Sequence, residues 1–364
     1  MRLRLWAVMI TALGLIAAAC GGGAEETTVP ATEPPATTAA PVTEPPTTTE
    51  APAALGTADN PIQVLFVPSV DTQVIVSGGE IMADALEEAT GLVFEVAVPT
   101  SYAATAEEMC AAPESTMGFI PGLLYVLATE LCGVDVAFKA VRFGNSVYWA
   151  QILVPRDSDY TSIEDLEGLK WAYPDAGSTS GFMVPTVMFN DAGVTPGETF
   201  EAGSHNNAAL AVYRGEADFG TTFYSPYLKP DGTVADVEAG EPFEIPDDLV
   251  SECAVTAEDR LFCGDVRVLD ARASVRTEAP DIVQKVRILA ISPSIPNDTL
   301  SFGSDFPADL RSQISDALVA FAETDAWFES IGNSDFYDWS GLAPATDAEY
   351  DFIRQMVALT GYTP

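Results

Sequence analysis

Three consecutive hydroxyl side chains, Ser178, Thr179 and Ser180, stand between two glycines in the segment YPDAGSTSG, at the predicted start of a helix. Hydroxyl groups and the free N–H groups of a helix N-terminus can bind an oxyanion without a positively charged side chain. Because the turn offers several donors at once, it suits a tetrahedral anion better than a flat carboxylate. An ordinary N-cap is the alternative, but capping needs only one such hydroxyl. The turn therefore predicts an anion-binding site.

Three further side chains could complete this site. His205 is the single histidine, and it follows Gly203 and Ser204 at the predicted start of another helix. A neutral imidazole donates one hydrogen bond, and protonation would add positive charge. Tyr102 and Tyr125 lie where predicted strands give way to helices, the usual ligand edge of a parallel sheet. A capping role for the histidine and aromatic packing for the tyrosines remain open alternatives.

The elements that must position these residues alternate between strand and helix patterns. The predicted strands are 62–67, 93–98 and 116–120, and the predicted helices are 79–90, 103–111 and 123–131. This order predicts a parallel, doubly wound α/β sheet that binds ligands beyond its strand ends.

The alternation restarts after residue 147 and predicts a second lobe of the same kind. Its predicted elements are a strand at 147–155, a helical turn at 162–167, a strand at 169–173, helices at 183–190 and 205–214, and a strand at 217–222. An extended crossing near 152–154 and a return near 289–292 predict a hinge. Lobe 1 is expected to comprise 59–151 and 293–364, with helices 308–323 and 347–359 packing back on it. Lobe 2 is expected to comprise 152–292, with an acidic insertion at 226–264.

The N-terminus has the pattern of an export signal. Arg2 and Arg4 precede an apolar run, and three alanines precede Cys20, so residues 1–19 are predicted to be a signal peptide. Cys20 followed by three glycines resembles a lipoprotein cleavage site, where the thiol is acylated; plain secretion is the alternative. Residues 20–58 are dominated by Thr, Pro, Ala and Glu, which predicts a disordered tether to the membrane.

The charge of the chain restricts its partners. Acidic residues outnumber Lys plus Arg by 54 to 16, giving a net charge of −38. Nucleic-acid binding requires a basic surface and is therefore excluded. Such a field also slows the approach of an anion, but salt screens it within roughly 8–10 Å, whereas a preorganised site acts at contact distance.

The five cysteines predict one lipid site and two disulfides. Cys253 and Cys263 enclose a short polar loop, while Cys110 and Cys132 bracket a predicted strand and helix, so the pairs Cys253–Cys263 and Cys110–Cys132 are expected. A metal site is not expected, because the chain has one histidine and no CxxC pair. No cofactor is predicted either.

Together, the motifs GSTSG, GSH and IPND and the segments around them resemble substrate-binding proteins of phosphonate, phosphite and phosphate ABC importers. The resemblance covers most of residues 60–340. It implies a type II periplasmic-binding-protein fold, two lobes that close over the ligand, and ABC permease subunits as partners. In that family a Ser-Thr-Ser turn, a His and Tyr hydroxyls hold the phosphoryl group. The corresponding residues are Ser178, Thr179, Ser180, His205, Tyr102 and Tyr125.

The resemblance also implies that Asp298 in SPSIPNDTL helps to hold a substrate ammonium, although the second acidic residue of that pocket has no clear match here. Phosphite, phosphate, a simple alkylphosphonate and an aminophosphonate are therefore all open. A sulfonate or thiamine-precursor receptor on the same fold is the alternative. A hydrolase using Ser178 or Ser180 with His205 as base is disfavoured, because no third orienting group is evident. Receptors of this kind usually act as monomers.

Overall fold

Short apolar runs form the central strands, because burial on both faces favours continuous hydrophobic sequence. The run IQVLF is buried almost throughout, and so is TMGFI. The computed structural model describes residues 53–362. The predicted signal peptide 1–19, the acylated Cys20 and most of the tether lie outside the described residues.

Fifteen strands lie within residues 53–362. They are β1 (Ile62–Phe66), β2 (Phe94–Ala97), β3 (Thr116–Ile120), β4 (Asp135–Val141), β5 (Val147–Pro155), β6 (Trp171–Tyr173), β7 (Thr199–Glu201), β8 (Phe219–Tyr224), β9 (Cys253–Val255), β10 (Leu261–Cys263), β11 (Val266–Arg267), β12 (Val286–Ile291), β13 (Ile295–Pro296), β14 (Thr299–Phe302) and β15 (Gly341–Pro344).

Nine α-helices accompany these strands in the same part of the chain. They are α1 (Thr72–Thr90), α2 (Tyr102–Ala111), α3 (Gly122–Cys132), α4 (Val184–Ala192), α5 (His205–Tyr213), α6 (Asp247–Val250), α7 (Ile282–Lys285), α8 (Ala308–Phe321) and α9 (Asp351–Thr360). A π-helical turn, Thr179–Met183, leads directly into α4.

The strands form two six-stranded sheets, one in each lobe. The lobe 1 sheet has the order β15-β4-β14-β3-β1-β2, and the lobe 2 sheet has the order β12-β5-β8-β6-β7 with β13 paired to β5. The parallel pairing predicted from the alternation holds for β1 with β2 and β3, and for β6 with β7 and β8. The strands by which the chain leaves and re-enters each lobe, such as β5 and β14, pair antiparallel instead.

The chain leaves lobe 1 earlier, and returns to it later, than the sequence suggested. Residues 152–154 and 289–291 lie within the paired strands β5 and β12, so they belong to the lobe 2 sheet. The crossings are 142–146 and 292–298, which lie side by side. The Asn297 side-chain amide donates to the carbonyls of Ala140 and Asn145 at 2.9 and 3.1 Å. Two adjacent crossing segments form the hinge.

Helix α1 begins seven residues before its predicted start. Asp71 caps it by accepting hydrogen bonds from the N–H groups of Gln73 and Val74. Gly78 and Gly79 disfavour a helix by sequence, yet both are buried in its interior. A Cβ atom on Gly78 would lie 2.6 Å from the Phe336 ring, so close packing requires glycine there.

Both predicted disulfides are present, Cys110–Cys132 and Cys253–Cys263. The second joins β9 to β10 in a three-stranded antiparallel sheet, β11-β10-β9. This sheet, which we call the hairpin, occupies the end of the predicted acidic insertion 226–264 and continues to residue 267.

The C-terminal helices close the fold as predicted, with one addition. Helix α8 packs against α1 of lobe 1, and α9 packs against α3 but also contacts α4 of lobe 2. The Tyr362 hydroxyl then donates to the carbonyl of Ala176 at 2.9 Å. The segment from α9 to Tyr362 therefore contacts both lobes. Within residues 53–362, no helix combines the length and apolar character that a membrane span requires.

Candidate functional site

A cavity of about 80 Å³ lies between the two lobes. One water molecule needs about 10–15 Å³, so this space suits a small solute of a few heavy atoms. Its lining has two parts. The first carries hydroxyl, imidazole and carboxylate groups, and comprises Ser69, Tyr102, Tyr148, Ser178, Ser180, His205, Ser225, Asp298 and Tyr337. The second comes from the hairpin and its neighbours, within segments 259–276 and 334–338. We call these parts the hydroxyl side and the hairpin side.

Helix N-termini from both lobes meet at the hydroxyl side. Tyr102 is the first residue of α2 and His205 is the first residue of α5, while Pro121 directly precedes α3. Ser178 caps the π-helical turn. This convergence follows from the fold, because helices that succeed parallel strands begin at one edge of the sheet. Their dipoles favour negative charge in the cavity.

The hydroxyl turn divides its three side chains between two roles. Ser178 and Ser180 line the cavity and are almost fully buried. Thr179 does not line it: its Oγ1 accepts a hydrogen bond from the Leu123 N–H of lobe 1 at 2.9 Å. The expected contact between Thr179 and a ligand is therefore replaced by a contact between the lobes. A π-helical turn at a ligand cavity is a recurrent arrangement in proteins.

The imidazole of His205 is held as a neutral donor. The Phe223 N–H donates to Nδ1 at 3.2 Å, so the ring proton resides on Nε2. Nε2 lies 3.4 Å from the Ser178 Oγ at the cavity wall. Burial, and next the positive charge of Arg142, lower the pKa of His205 to about 3. Its contribution is a hydrogen bond and not a charge, in contrast to the protonated form considered from sequence.

The two predicted tyrosines are placed differently. Tyr102 lines the cavity, and its hydroxyl has no hydrogen-bond partner within the described residues. Burial raises its pKa well above the usual value, so it keeps its proton and can donate. Tyr125 does not reach the cavity: its hydroxyl donates to Asp347 at 2.7 Å and its ring packs on Tyr350. Tyr125 follows the first turn of α3, which directs its ring toward the C-terminal segment; the expected ligand role is therefore corrected.

Four lining residues carried no decisive sequence signal. Tyr148, in β5, lines the cavity near the hinge. Ser69, in the loop between β1 and α1, and Ser225, just after β8, contribute hydroxyls at the same strand edges that were used to select Tyr102. The position of Ser69 and Ser225 shortly after predicted strands was the sequence feature that could have identified them as lining residues. Tyr337 lies in a loop of lobe 1 that has no recognisable pattern.

Asp298 lines the cavity but is already engaged. Its carboxylate accepts a hydrogen bond from Arg142 Nη2 at 2.8 Å, and Arg142 also donates to Asn297 and to the Tyr337 carbonyl. Arg142 and Asp298 thus join the two crossing segments of the hinge. A carboxylate held in this way is poorly suited to a substrate ammonium, so the role implied for Asp298 by resemblance is not supported by its contacts.

The arrangement does not favour nucleophilic catalysis. A base acting on Ser178 would need a free lone pair on Nε2 of His205, but that nitrogen carries the proton because Nδ1 accepts from the backbone. The group that orients the His205 ring is the Phe223 backbone N–H, whereas a catalytic triad uses a carboxylate at this position. Among residues 53–362, no group of His, Cys, Asp and Glu side chains is arranged to hold a metal ion.

The sequence profile of a family described as "ABC transporter, phosphonate, periplasmic substrate-binding protein" matches residues 64–350. Among similar proteins is the phosphate-import protein PhnD of Mycolicibacterium smegmatis, which is 24% identical over 316 residues. That alignment covers 82% of this chain and 86% of the relative.

Two solved structures have the same fold. A binding protein component of an ABC phosphonate transporter from Pseudomonas aeruginosa has a TM-score of 0.61 at 17% identity, over 83% of this chain and 87% of that chain. PhnD1 from Prochlorococcus marinus, in complex with methylphosphonate, has a TM-score of 0.61 at 13% identity, over 82% of this chain and 98% of that chain. The architecture is that of a type II periplasmic binding protein.

Proposed function

The chain belongs to the family of periplasmic substrate-binding proteins of ABC phosphonate transporters, and on this basis we propose that it captures a phosphorus oxyanion and delivers it to an ABC importer. Phosphonate, phosphite and phosphate are the ligands in question. Proteins of this family are extracytoplasmic and bind a solute without transforming it, so the chain is a transport protein and not an enzyme.

The observation that carries the proposal is the set of uncharged donors at the hydroxyl side. Ser178, Ser180, Tyr102 and the Nε2–H of His205 line one small cavity, at the N-termini of helices from both lobes. A tetrahedral anion accepts several hydrogen bonds in different directions, which this set can supply. Fixed dipoles and hydrogen bonds stabilise such an anion without a counter-ion.

The proposed mechanism is closure of the two lobes over the ligand. Tyr102 belongs to lobe 1, whereas Ser178 and His205 belong to lobe 2. A ligand that contacts both lobes binds the closed state more tightly and so increases its population. Direct contacts between the lobes at the cavity support this, including the bond between Leu123 N and Thr179 Oγ1 and the bond between His205 N and the Ser69 carbonyl at 3.1 Å.

We also propose that the protein is held at the outer face of the cell membrane by an acylated Cys20, through the tether 20–58, and acts as a monomer. This part rests on the sequence, since Cys20 and most of the tether precede the described residues. Mass spectrometry of the membrane fraction tests it: the N-terminal peptide should begin at Cys20 and carry acyl chains. A soluble product with an unmodified Cys20 would contradict it.

Isothermal titration calorimetry tests the ligand class. We expect the purified protein to bind at least one of methylphosphonate, phosphite, phosphate and 2-aminoethylphosphonate. Substituting Ser178→Ala together with Ser180→Ala should weaken that binding by more than tenfold, because two donors to a charged group are lost. Ser304→Ala, at an exposed serine away from the cavity, is the control and should leave affinity unchanged. Binding of a sulfonate with no response to the four phosphorus compounds would overturn the proposal.

A further inference from the structure

The cavity carries an unusual concentration of arginines, three of them on the hairpin side. Arg142, Arg260, Arg267 and Arg276 all line the cavity, with three aspartates beside them. The whole chain has only 16 Lys and Arg residues against 54 acidic ones. Four arginines beside three lining aspartates therefore make the cavity far richer in arginine than the rest of the molecule, where acidic residues predominate.

Two of these arginines are neutralised by direct pairing. Arg142 contacts Asp298 at 2.8 Å, and Arg276 contacts both Asp259 at 2.8 Å and Asp335 at 2.6 Å. By contrast, the side chains of Arg260 and Arg267 make no salt bridge or hydrogen bond to any of the residues that the structure describes. Burial, and next the charge of Arg260, lower the pKa of Arg267, which is the behaviour of an uncompensated cation.

The remaining carboxylate, Asp338, does not pair with them either. It forms no salt bridge within residues 53–362, and its φ of 53° is uncommon for a residue other than glycine. Burial raises the pKa of Asp338, while the nearby charges of Arg267, Arg142 and Arg260 lower it. Asp338 therefore lies within the field of the unpaired arginines without occupying their hydrogen-bonding groups.

The hairpin fixes these two arginines at the cavity. Arg267 is in β11, and Arg260 closes the turn between β9 and β10, where its carbonyl accepts from Thr256 N at 2.8 Å. The disulfide Cys253–Cys263 ties the two strands of that turn together. A covalently restrained turn that presents an unpaired guanidinium to a ligand cavity is preorganised for an anion.

We propose that Arg260 and Arg267 form a second anion subsite, which takes a carboxylate on the substituent of a phosphonate whose phosphoryl group occupies the hydroxyl side. This inference rests on the proposed function and names the ligand class as carboxylated phosphonates. Guanidinium groups bind carboxylates through two parallel hydrogen bonds. A substrate ammonium, in contrast, finds Asp298 occupied by Arg142 and two unpaired cations nearby.

Calorimetry with matched ligands tests the subsite. Phosphonoacetate and 3-phosphonopropionate place a carboxylate at two distances from the phosphorus, and methylphosphonate lacks it. At least one of the carboxylated ligands should bind about tenfold more tightly than methylphosphonate, the gain expected from a charge-assisted hydrogen bond. Arg267→Gln should abolish this advantage while changing methylphosphonate affinity less than about threefold. Arg260→Gln, in the turn, should reduce the same advantage and provides a second variant if Arg267→Gln does not fold.

Arg214→Gln is the matched control, because Arg214 is an exposed arginine of the same lobe that pairs with Glu278 outside the cavity. It should leave the ligand preference intact. The inference is overturned if neither carboxylated ligand exceeds methylphosphonate, or if Arg267→Gln weakens all ligands equally. Failure of methylphosphonate, phosphite, phosphate, 2-aminoethylphosphonate and both carboxylated phosphonates to bind the unmodified protein would instead refute the proposed function itself.

Discussion

At the scale of single residues, the imidazole of His205 is defined by what surrounds it. It is buried, its Nδ1 accepts from the Phe223 N–H, and Arg142 is close enough to disfavour a second positive charge. The neutral form with the proton on Nε2 is therefore stabilised. A ligand at the hydroxyl side meets a donor whose character does not change with pH near neutrality.

This environment predicts a specific pH dependence of stability. The pKa of His205 falls from 6.5 in the unfolded chain to about 3 in the folded protein. Unfolding therefore takes up a proton below pH 6.5, and the stabilisation present above that pH is lost as pH falls toward 3. We expect His205→Gln, which retains a side-chain donor, to remove this loss. Urea unfolding measured from pH 8 to pH 4 should show the unmodified protein losing stability relative to the variant. The difference between their unfolding free energies should change by up to about 1.4 kcal/mol per pH unit, the value for one proton.

The unmodified protein and His205→Gln must be compared at each pH. The many carboxylates titrate in both proteins, so their contributions cancel in the difference between the two unfolding free energies. A difference in unfolding free energy that is flat across this range would show that the folded imidazole titrates normally. Binding of phosphate measured between pH 6 and pH 8 should follow the ligand's own ionisation and show no step from the histidine.

The residues of the site were predictable where local sequence defines them. The hydroxyl turn, His205 and Tyr102 all sit at helix starts, and helix starts can be identified from glycines and capping residues. Arg142 could not be found in this way, because it lies in a turn without a motif and its partner Asp298 is 156 positions away. Tyr125 had the right local position but the wrong direction, which depends on Asp347 in the C-terminal segment.

At the scale of elements, α1 shows where propensity and packing oppose each other. Gly78 and Gly79 are buried against Phe336, Phe66 and Val96. Propensity favours alanine over glycine in a helix interior by about 1 kcal/mol. Packing favours glycine, since inserting a methyl group into a filled core costs about 1–3 kcal/mol. The predicted helix began too late because only the first of these effects can be read from sequence.

We therefore expect Gly78→Ala to destabilise the protein by about 1–2 kcal/mol, despite the better helix propensity of alanine. The new Cβ would lie 2.6 Å from the Phe336 ring, and that ring is itself packed between Phe66 and Tyr337. Ser77→Ala, at an exposed neighbouring position, is the control and should raise stability slightly. Thermal unfolding measures both, and a higher melting temperature for Gly78→Ala would show that the core relaxes around the added methyl group.

The sequence predicted the strands that have continuous apolar runs. It did not predict strands that form only because they pair with strands far away in the chain. The runs in β1, β3 and β5 were identified from the sequence. Strand β14 was not, although TLSF is fully buried, because it is completed by β3 and β4 from a part of the chain more than 150 residues earlier. Its strand character comes from the neighbours that supply its hydrogen bonds.

At the scale of the whole molecule, one ion pair joins the lobes beside the cavity. Arg276 of lobe 2 donates to both carboxylate oxygens of Asp335 of lobe 1, at 2.6 and 2.9 Å. Arg276 is buried and its pKa is raised, first of all by the hydrogen bonds to Asp335. A pair that spans the lobes can form only when they are closed, so it adds to the stability of the closed state.

Asp335→Asn should consequently weaken binding of every ligand by a similar factor. Because Asp335 is 40% exposed, the pair is worth about 1 kcal/mol rather than the larger value of a buried one. Losing that amount lowers the ratio of closed to open protein about fivefold. We expect an equal fivefold loss of affinity for methylphosphonate and phosphate, carried by faster dissociation. Glu278→Gln, which breaks the Arg214–Glu278 pair within lobe 2, should have no effect.

Small-angle X-ray scattering distinguishes closure from a direct effect on the ligand. Asp335 is not among the residues lining the cavity, so its substitution leaves the donors of the hydroxyl side in place. If the ion pair stabilises closure, the variant at subsaturating ligand should have a larger radius of gyration than the unmodified protein, and saturating ligand should bring both to the same value. A variant that loses affinity for one ligand only, with an unchanged radius of gyration, would mean that Asp335 acts on the ligand and not on the lobes.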